Sequence, residues 1–305
     1  MKIIFLGTPD FAVGVLKAIN QSKHEILAVV TQPDRPVGRK AIITPCAVKT
    51  CAMELGLKVL SYEKIRVEGV DDLKSLNADI MVTCAFGQIL SQEILDICKH
   101  GVINVHASLL PKYRGSAPIQ YSIINGDSET GVTVMQTGLE VDSGDILLQE
   151  KLAIDPEETA GELFDRLSVL GAKTIVTALD KIENGEIIPI SQDHSKATHV
   201  KMLRKEDGLI DFNKSALEIK NLIRGLNPWP IAFTHYEGKT LKVFKATVSE
   251  DNGVAGEVLS VSDGIKVATG KGSIVFTEIQ LEGGKRMSAK DFLLGRKIPV
   301  GYKLC

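Results

Sequence analysis

The chain has 305 residues and is poor in the features of secreted, disulfide-bonded or membrane proteins. Its five cysteines are odd in number and form no C-x-x-C pair, so neither a disulfide framework nor a zinc site is expected. No apolar run reaches membrane-spanning length, and the short apolar run at 3–6 has no export cleavage site after it. We therefore expect a cytoplasmic protein with reduced thiols.

A dinucleotide-binding motif is also missing. Gly7-Thr8-Pro9 follows the first apolar run, but it lacks the G-x-G-x-x-G spacing that brings backbone against a pyrophosphate. We interpret it as a structural strand-to-helix turn, with proline pre-set for the first position of the helix. The expectation is a protein without NAD and without a metal.

Charge is nearly balanced overall but unevenly distributed. A formal net charge of −2 argues against indiscriminate nucleic-acid binding. From Lys205 onward there are 15 basic and 12 acidic side chains, a balance of +3 that leaves −5 for the first 204 residues. Basic side chains cluster at 196–205 and 285–303. Such clusters can follow a phosphate backbone, although charge alone favours a solvated surface equally.

The first half of the chain alternates short apolar runs with amphipathic stretches, which predicts an α/β fold. We expect a Rossmann-like, mainly parallel sheet with helices on both faces. The predicted strands are 2–6, 26–31, 80–84 and 102–106, the predicted helices 10–20, 45–55 and 91–98, and a hairpin-like pair at 132–135 and 146–152 extends the sheet. Thr159-x-x-Glu162 then starts a long helix with a capping box.

The last third of the chain has a different pattern. Polar residues 191–206 are interpreted as a linker between a catalytic domain at 1–190 and a C-terminal domain at 207–305. Five short runs with a period of two follow between 231 and 279, separated by Gly and Asp turns. This pattern predicts a small β-barrel, with the oligonucleotide/oligosaccharide-binding (OB) type as the obvious candidate.

Three polar residues suggest the chemistry. Asn104 and His106 are two apart at the end of a predicted strand, so their side chains project to one face. Asp142 lies in a tight turn between two later strands. An amide donor, a titratable ring and a carboxylate suit acyl transfer to an amine, where charge grows on oxygen and nitrogen loses a proton. Taken in isolation, these residues have a simpler interpretation, in which His106 is a core histidine and Asp142 forms a turn.

The surrounding motifs favour the catalytic interpretation of these three residues. Asn104-x-His106, Ser108-Leu109-Leu110-Pro111, Tyr113-Arg114-Gly115-x-x-Pro118-Ile119-Gln120 and Asp142 resemble the signature of the 10-formyltetrahydrofolate-dependent formyltransferases. The resemblance runs from about residue 2 to residue 303 and includes the motifs at 5–11, 31–39 and 227–230. It implies transfer of a formyl group from 10-formyltetrahydrofolate to the amino group of methionine on initiator tRNA, for translation initiation. It also implies a monomer that binds neither membrane nor DNA.

The resemblance assigns roles residue by residue. It makes Asn104, His106 and Asp142 catalytic. It implies that the folate contacts Phe86, Gly87, Gln88, Ile89, Ser108, Leu109, Leu110 and Pro111. The insertion at 32–45 is implied to contact tRNA, and the basic clusters extend the predicted tRNA-binding set to Arg35, Arg39, Lys40, Lys201, Arg204, Lys285, Arg286, Arg296 and Lys297. The usual pattern has a glycine after the arginine, where Lys40 stands here.

Two other functions fit parts of the sequence. A formyltransferase acting on a small amine, such as glycinamide ribonucleotide or a sugar nucleotide, would share the Asn-x-His and Asp elements. The insertion at 32–45 and the basic C-terminal clusters argue against it. A non-catalytic RNA-binding protein would account for the barrel and the clusters, but it would not need Asn104, His106 and Asp142.

Overall fold

The computed structural model describes residues 1–38 and 40–304. Arg39, predicted to contact tRNA, and Cys305 lie outside the described residues. The chain divides into two compact units. The first comprises residues 1–115, 130–153 and 164–200, and the second comprises residues 116–129, 154–163 and the chain from Lys201 onward.

The helices and strands are numbered in chain order. Up to residue 124 they are β1 (Lys2–Gly7), α1 (Asp10–Asn20), β2 (Glu25–Thr31), β3 (Arg35–Val37), β4 (Ile42–Thr44), α2 (Ala47–Glu54), β5 (Val59–Ser61), α3 (Ile65–Glu68), α4 (Val70–Ser75), β6 (Ile80–Cys84), α5 (Gln92–Leu95), β7 (Val102–His106), β8 (Arg114–Gly115) and α6 (Pro118–Ile124). From there they are β9 (Glu129–Gln136), β10 (Ile146–Ala153), α7 (Ala160–Glu183), β11 (His199–Val200), α8 (Ala216–Gly225), β12 (Ala232–Tyr236), β13 (Lys239–Ser249), β14 (Val258–Ser260), β15 (Ile265–Ala268), β16 (Ser273–Leu281), β17 (Met287–Ser288) and α9 (Ala289–Gly295), with short 3₁₀ turns at His194–Lys196 and Lys205–Gly208.

A seven-stranded sheet in the order β10-β9-β7-β6-β1-β2-β5 is the centre of the first unit. Its strands β7, β6, β1, β2 and β5 run parallel, and β9 runs antiparallel to β7. All five residues of β6 are buried, as expected for a parallel strand covered on both faces. The predicted α/β fold class is confirmed. Sequence reasoning missed β5, because three half-exposed residues are too few to show a period.

Strand register places the predicted polar residues at one edge of this sheet. Thr83 in β6 pairs with Asn104 in β7, and His106 pairs with Thr133 in β9. The ends of β1, β6 and β7 therefore meet where ligands of doubly wound sheets bind.

The insertion at 32–45, predicted as a loop, contains an antiparallel hairpin of β3 and β4. Arg35 donates to Glu63 at 2.6 Å, and the Lys49 ammonium contacts both Asp34 oxygens at 2.8 and 2.9 Å. These ion pairs fasten the base of the hairpin to the sheet domain. The aliphatic side chains farther along it are more than half exposed: Val37, Ile42 and Ile43.

The predicted capping box at the start of α7 is confirmed. The Thr159 backbone N–H donates to Glu162 at 2.8 Å, and the Glu162 N–H lies 3.4 Å from the Thr159 hydroxyl. The Thr159 backbone N–H and hydroxyl both donate to the Glu162 carboxylate, which lowers the pKa of Glu162 below its usual range because these bonds favour the charged form. Leu163 and Leu167 are fully buried on the predicted apolar face.

The second unit contains a six-stranded antiparallel sheet in the order β12-β13-β16-β15-β14, with β17 beside β16. This antiparallel half-barrel confirms the predicted small, OB-like β-barrel after the α/β domain. Its core is built on side chains that alternate inward along the strands, including Val243, Ile265, Phe276 and Ile279. Helix α8 packs against β13. It starts with a capping box between Ser215 and Glu218 that sequence reasoning had not singled out.

The predicted domain boundaries at 190 and 206 stay a prediction. Within the predicted linker, Gln192 is only 5% exposed, and residues 199–200 form β11 beside β8. Earlier segments at 116–129 and 154–163 group with the second unit. Within residues 1–38 and 40–304, no helix combines the length and apolar content needed to cross a bilayer.

Candidate active site

Asn104 offers a hydrogen-bond donor whose orientation is set by its neighbour. The Thr83 hydroxyl donates to Asn104 Oδ1 at 2.8 Å across the β6–β7 pair. When this hydroxyl, which also reaches the Ile103 carbonyl at 3.2 Å, donates to Oδ1, the Nδ2 amide points away from Thr83. Nδ2 has no protein partner among residues 1–38 and 40–304, and the side chain is half-buried. The amide is therefore available to a ligand.

The His106 ring is held at both nitrogens. Nε2 lies 2.9 Å from the carbonyl oxygen of Tyr113, and since a carbonyl only accepts, Nε2 must carry a proton. Nδ1 lies 3.5 Å from Asp142 Oδ2. Because Nε2 already carries a proton, the Asp142 carboxylate would stabilise a second proton on Nδ1. The ring is 6% exposed, so the pairing is largely shielded from solvent.

Asp142 is brought to this ring from a separate turn. Its Oδ2 also accepts the Gly115 backbone N–H at 2.8 Å, which fixes the carboxylate between that amide and the imidazole. Asp142 adopts a left-handed backbone conformation with φ of 51°. Aspartate tolerates this conformation better than most residues do. The structure therefore brings Asp142 and His106 together across 36 residues of sequence, and it places Asn104 on the same strand as the ring.

This geometry decides which ring nitrogen can exchange a proton with a substrate. Nε2 is committed to the Tyr113 carbonyl, so Nδ1 is the nitrogen that can give or take a proton. Asp142 stands beside it and stabilises the charge that forms. With the Asn104 amide, the site offers a neutral donor for an oxyanion and an acid–base pair for an amine.

The loop at 86–90 follows β6 and was predicted to hold folate. The Phe86 side chain is buried, and its carbonyl accepts from the Thr8 hydroxyl at 3.0 Å and the Gln32 amide at 3.3 Å. The Gln88 side chain donates to the Tyr62 carbonyl and accepts from the Ile65 N–H. Over the described chain, the backbone N–H groups of 87–90 have no protein partner. A ligand here would therefore meet backbone groups and the exposed Ile89 side chain.

The segment 108–111 is rigid. Ser108 Oγ donates to the Lys112 carbonyl at 2.6 Å, and the Thr133 hydroxyl donates to the Ser108 carbonyl at 2.6 Å. Gln149 donates to the Leu110 carbonyl at 2.8 Å. The Leu110 side chain is buried, whereas Leu109 is half-buried. Folate contacts by this segment stay a prediction.

The predicted tRNA-binding cations differ in how strongly they are paired. Arg35 is paired with Glu63 and Lys201 with Asp207. Arg286 forms a two-pronged pair with Glu278 and stacks over the Phe244 ring at 4.2 Å. The remaining predicted cations within the described chain are exposed with no side-chain ion pair: Lys40, Arg204, Lys285, Arg296 and Lys297.

One group of metal-capable side chains occurs elsewhere in the first unit. His24, Asp180 and Glu183 each bring a ligand atom within 4.8 Å of the others. Lys23 already binds Asp180 at 3.0 Å and Glu183 at 2.9 Å, which raises the pKa of Lys23 and lowers that of Glu183. The Lys23 ammonium therefore neutralises the carboxylate charge that a bound metal ion would need.

Sequence reasoning missed the residues that hydrogen-bond to the three predicted catalytic residues or to the Asp142 turn: Thr83, Tyr113, Gly115 and Gln192. Thr83 carried a weak signal, since it is a polar residue in the otherwise apolar β6. Tyr113 and Gly115 belong to a motif that was recognised, but they act here through backbone groups. Gln192 carried no signal, because it stands in a polar stretch that is typical of a linker.

The fold is that of an α/β protein with a second, antiparallel β unit, and the site combines an amide donor, an imidazole and a carboxylate suited to acyl transfer. A family profile described as "Formyl transferase" matches residues 1–179, and one described as "Formyl transferase, C-terminal domain" matches residues 202–297. The chain belongs to the formyl transferase family.

Relatives similar over the whole length include methionyl-tRNA formyltransferases. The chain is 48% identical to a methionyl-tRNA formyltransferase of Geobacter metallireducens, over 100% of this chain and 98% of the relative. It is also 48% identical to a methionyl-tRNA formyltransferase of Lachnospira eligens, over 100% of this chain and 99% of the relative.

Among solved structures, an N-formyltransferase of Helicobacter canadensis in complex with folinic acid and dTDP-3-aminofucose is similar in fold. The TM-score is 0.71 at 20% identity, covering 90% of this chain and 98% of that one. At that identity the likeness concerns the fold alone.

Proposed function

We propose that this protein transfers the formyl group of 10-formyltetrahydrofolate to the amino group of methionine esterified to initiator tRNA. The observation that carries the proposal is the convergence of Asn104, His106 and Asp142 at the sheet edge. The family membership and the full-length similarity to methionyl-tRNA formyltransferases support the choice of donor and acceptor.

In the first step, the lone pair of the methionine amine attacks the formyl carbon, and the carbonyl π electrons move to oxygen. The Asn104 Nδ2–H donates to this oxyanion, a contribution of about 3–4 kcal/mol in comparable sites. The ammonium that forms on the attacking nitrogen loses its proton towards Asp142. The tetrahedral intermediate is thus stabilised at both of its charged ends.

In the second step, the bond between the formyl carbon and the folate N10 breaks. His106 Nδ1 gives its proton to the departing nitrogen, so tetrahydrofolate leaves neutral at N10. The proton taken from the amine restores the imidazolium through Asp142. The sum is one formyl group moved and no net proton gained by the enzyme.

Folate is proposed to bind along the loop at 86–90 and the segment 108–111. The free backbone N–H groups at 87–90 support this, because a pterin ring presents acceptors and donors along its edge. Phe86 and Gln88 would act indirectly, since their side chains hold the loop against the domain. The segment 108–111 would supply a rigid wall.

The tRNA is proposed to contact the hairpin of β3 and β4 and the basic residues of the second unit. The hairpin carries Arg35 and exposed aliphatic side chains, and Lys285, Arg296 and Lys297 are exposed and unpaired within the described chain. Such cations release counterions on binding phosphate, so affinity should fall as salt rises. We also propose a cytoplasmic monomer acting on tRNA and not on DNA, with sedimentation analysis as the check on its oligomeric state.

The decisive experiment incubates the protein with 10-formyltetrahydrofolate and methionine-charged initiator tRNA. We expect formylated aminoacyl-tRNA, and no product from free methionine or an amino-sugar nucleotide. Product from a small amine alone would overturn the proposed acceptor. In the same assay Asn104→Ala should lower kcat by about 10²–10³ with tRNA affinity unchanged. Equal loss of turnover and tRNA affinity would remove Asn104 from catalysis.

A further inference from the structure

The residues that bracket His106 both contact the segment 192–200. The ring's two protein partners are the Tyr113 carbonyl at Nε2 and the Asp142 carboxylate at Nδ1. Gln192 contacts the turn that carries Asp142, and Thr198 contacts the backbone of Tyr113. This segment had been interpreted as a linker.

Gln192 binds the Asp142 turn from within. Its Nε2 donates to the Asp142 carbonyl at 2.9 Å and to the Gly144 carbonyl at 2.7 Å, so the turn wraps around one amide group. The backbone of Asp142 is in the left-handed region, which costs free energy that neighbouring contacts must offset. Gly144 cannot carry a side chain, since a Cβ there would lie 1.9 Å from the Gln136 carbonyl oxygen.

Gln192 is itself held by a buried cation. Arg114 Nε and Nη2 donate to Gln192 Oε1 at 3.1 and 2.7 Å, and Nη2 lies 3.2 Å from His194 Nδ1, which accepts. Arg114 is 4% exposed, and no carboxylate pairs with it within the described part of the chain. A guanidinium with neutral partners polarises the amide it contacts. The donor end of Gln192 therefore binds the turn carbonyls more strongly.

The second contact is made by Thr198. Its hydroxyl accepts the Tyr113 N–H at 2.8 Å, and its carbonyl accepts the Arg114 N–H at 2.8 Å. Strand β11 then runs beside β8, with Val200 opposite Gly115. Gly115 has φ of 112° and a Cβ there would lie 2.2 Å from the Val200 carbonyl oxygen, so only glycine fits. This close approach aims the Gly115 N–H at Asp142.

We propose that Gln192 and Thr198 are positioning residues that hold Asp142 and Tyr113 at their places beside the His106 ring. The inference rests on the proposed function for its kinetic consequences, but its structural claim stands on the contacts alone. Loss of either contact should leave substrate binding intact and lower the rate of the chemical steps, because the imidazole would lose a fixed partner.

The test compares Gln192→Leu, Gln192→Glu and Thr198→Val with the wild type in formyl transfer. We expect kcat to fall about tenfold to a hundredfold, the range seen for outer-shell partners of histidine, with KM for tRNA and donor unchanged. Thr198→Ser keeps the acceptor and should restore the rate. Ser195→Ala is the matched control in the same segment, because among the described residues the Ser195 hydroxyl bonds to Asp193 alone.

A second readout does not depend on activity. The Gly115 N–H is protected by Asp142, so its hydrogen exchange should become faster in Gln192→Leu and stay at the wild-type rate in Ser195→Ala. In the Asp142→Asn background, Gln192→Leu should cost little further kcat, because the two changes act on one group. Wild-type kcat with wild-type protection in Gln192→Leu, or a rise in KM alone, would overturn the inference. Failure of the wild type to formylate any acceptor would instead overturn the proposed function, and exchange at Gly115 would still decide the inference.

Discussion

The Thr83 hydroxyl donates to Asn104 Oδ1 at 2.8 Å, which turns the Asn104 amide nitrogen away from the sheet. An asparagine amide can flip by 180° with little change in shape, and the flipped group would present an oxygen where a donor is needed. The Thr83 hydroxyl also lies 3.2 Å from the Ile103 carbonyl, so it favours the oxyanion-facing orientation of the Asn104 amide when its single proton goes to Oδ1. The parallel pairing of Thr83 with Asn104 makes this contact possible.

Thr83→Val should lower kcat by about tenfold, because an isosteric side chain without the hydroxyl leaves the Asn104 amide free to flip. KM for both substrates should stay near the wild-type value in steady-state assays. Thr83→Ser keeps the hydroxyl and is the matched control. Equal rates for the valine and serine variants would show that the hydroxyl does not set the amide.

Asp142→Asn should lower kcat by about 10²-fold or more, because the amide cannot accept the amine proton or stabilise the imidazolium. Tetrahydrofolate affinity, measured by calorimetry, should change little. Asp145→Asn is a useful control, since the Asp145 side chain in the same turn bonds Ser191 and not His106. A comparable loss in both variants would assign the effect to the turn and not to the carboxylate.

Glu63→Gln should tighten tRNA binding, because Glu63 competes with phosphate for Arg35. Both side chains of this pair are more than half exposed, so the gain should not exceed about fivefold. Glu93→Gln removes the same charge from the exposed pair with Lys74 and should leave affinity unchanged. Arg35→Ala should weaken binding and reduce the salt slope by about one. An unchanged slope would remove Arg35 from the phosphate contacts.

The free energy of unfolding should decrease as pH rises above about 9, because of the buried thiols. Burial raises the pKa of Cys98 from 9.0 to about 11, and burial also raises the pKa of Cys84. Between those values the folded state holds protons that the unfolded state has released. The free energy of unfolding therefore decreases as pH rises, by up to about 1.4 kcal/mol per pH unit for each thiol.

Urea unfolding between pH 8 and pH 10.5 measures this slope. For Cys98→Ala, the free energy of unfolding should decrease less steeply with pH over that window than it does for the wild type, whatever the absolute stability of the variant. Cys46→Ala is the control, because Cys46 is only half-buried. Equal slopes of unfolding free energy against pH for the wild type and Cys98→Ala would show that the Cys98 thiol does not contribute to the pH dependence.

Much of the fold was predictable from local pattern. Four of the five parallel strands, helix α7 with its capping box and the short strands of the second unit follow from apolar periods and caps. Strand β5 was missed for its length, and the hairpin of β3 and β4 was missed because its exposed valine and isoleucines show no buried face. Asn104, His106 and Asp142 could be predicted as catalytic because their motif is dense and ordered along the chain.

The orienting contacts could not be predicted in the same way. Apolar period and turn chemistry are local properties, so the order of residues alone dictated which segments become strands and which polar side chains stand at their ends. Thr83, Gln192 and Thr198 act across gaps of 21, 50 and 85 residues, through hydrogen bonds that exist only after the segments have packed. Packing therefore settled which way the Asn104 amide points and which His106 nitrogen can exchange a proton, because a hydrogen bond depends on distance and direction in space and not on separation along the chain.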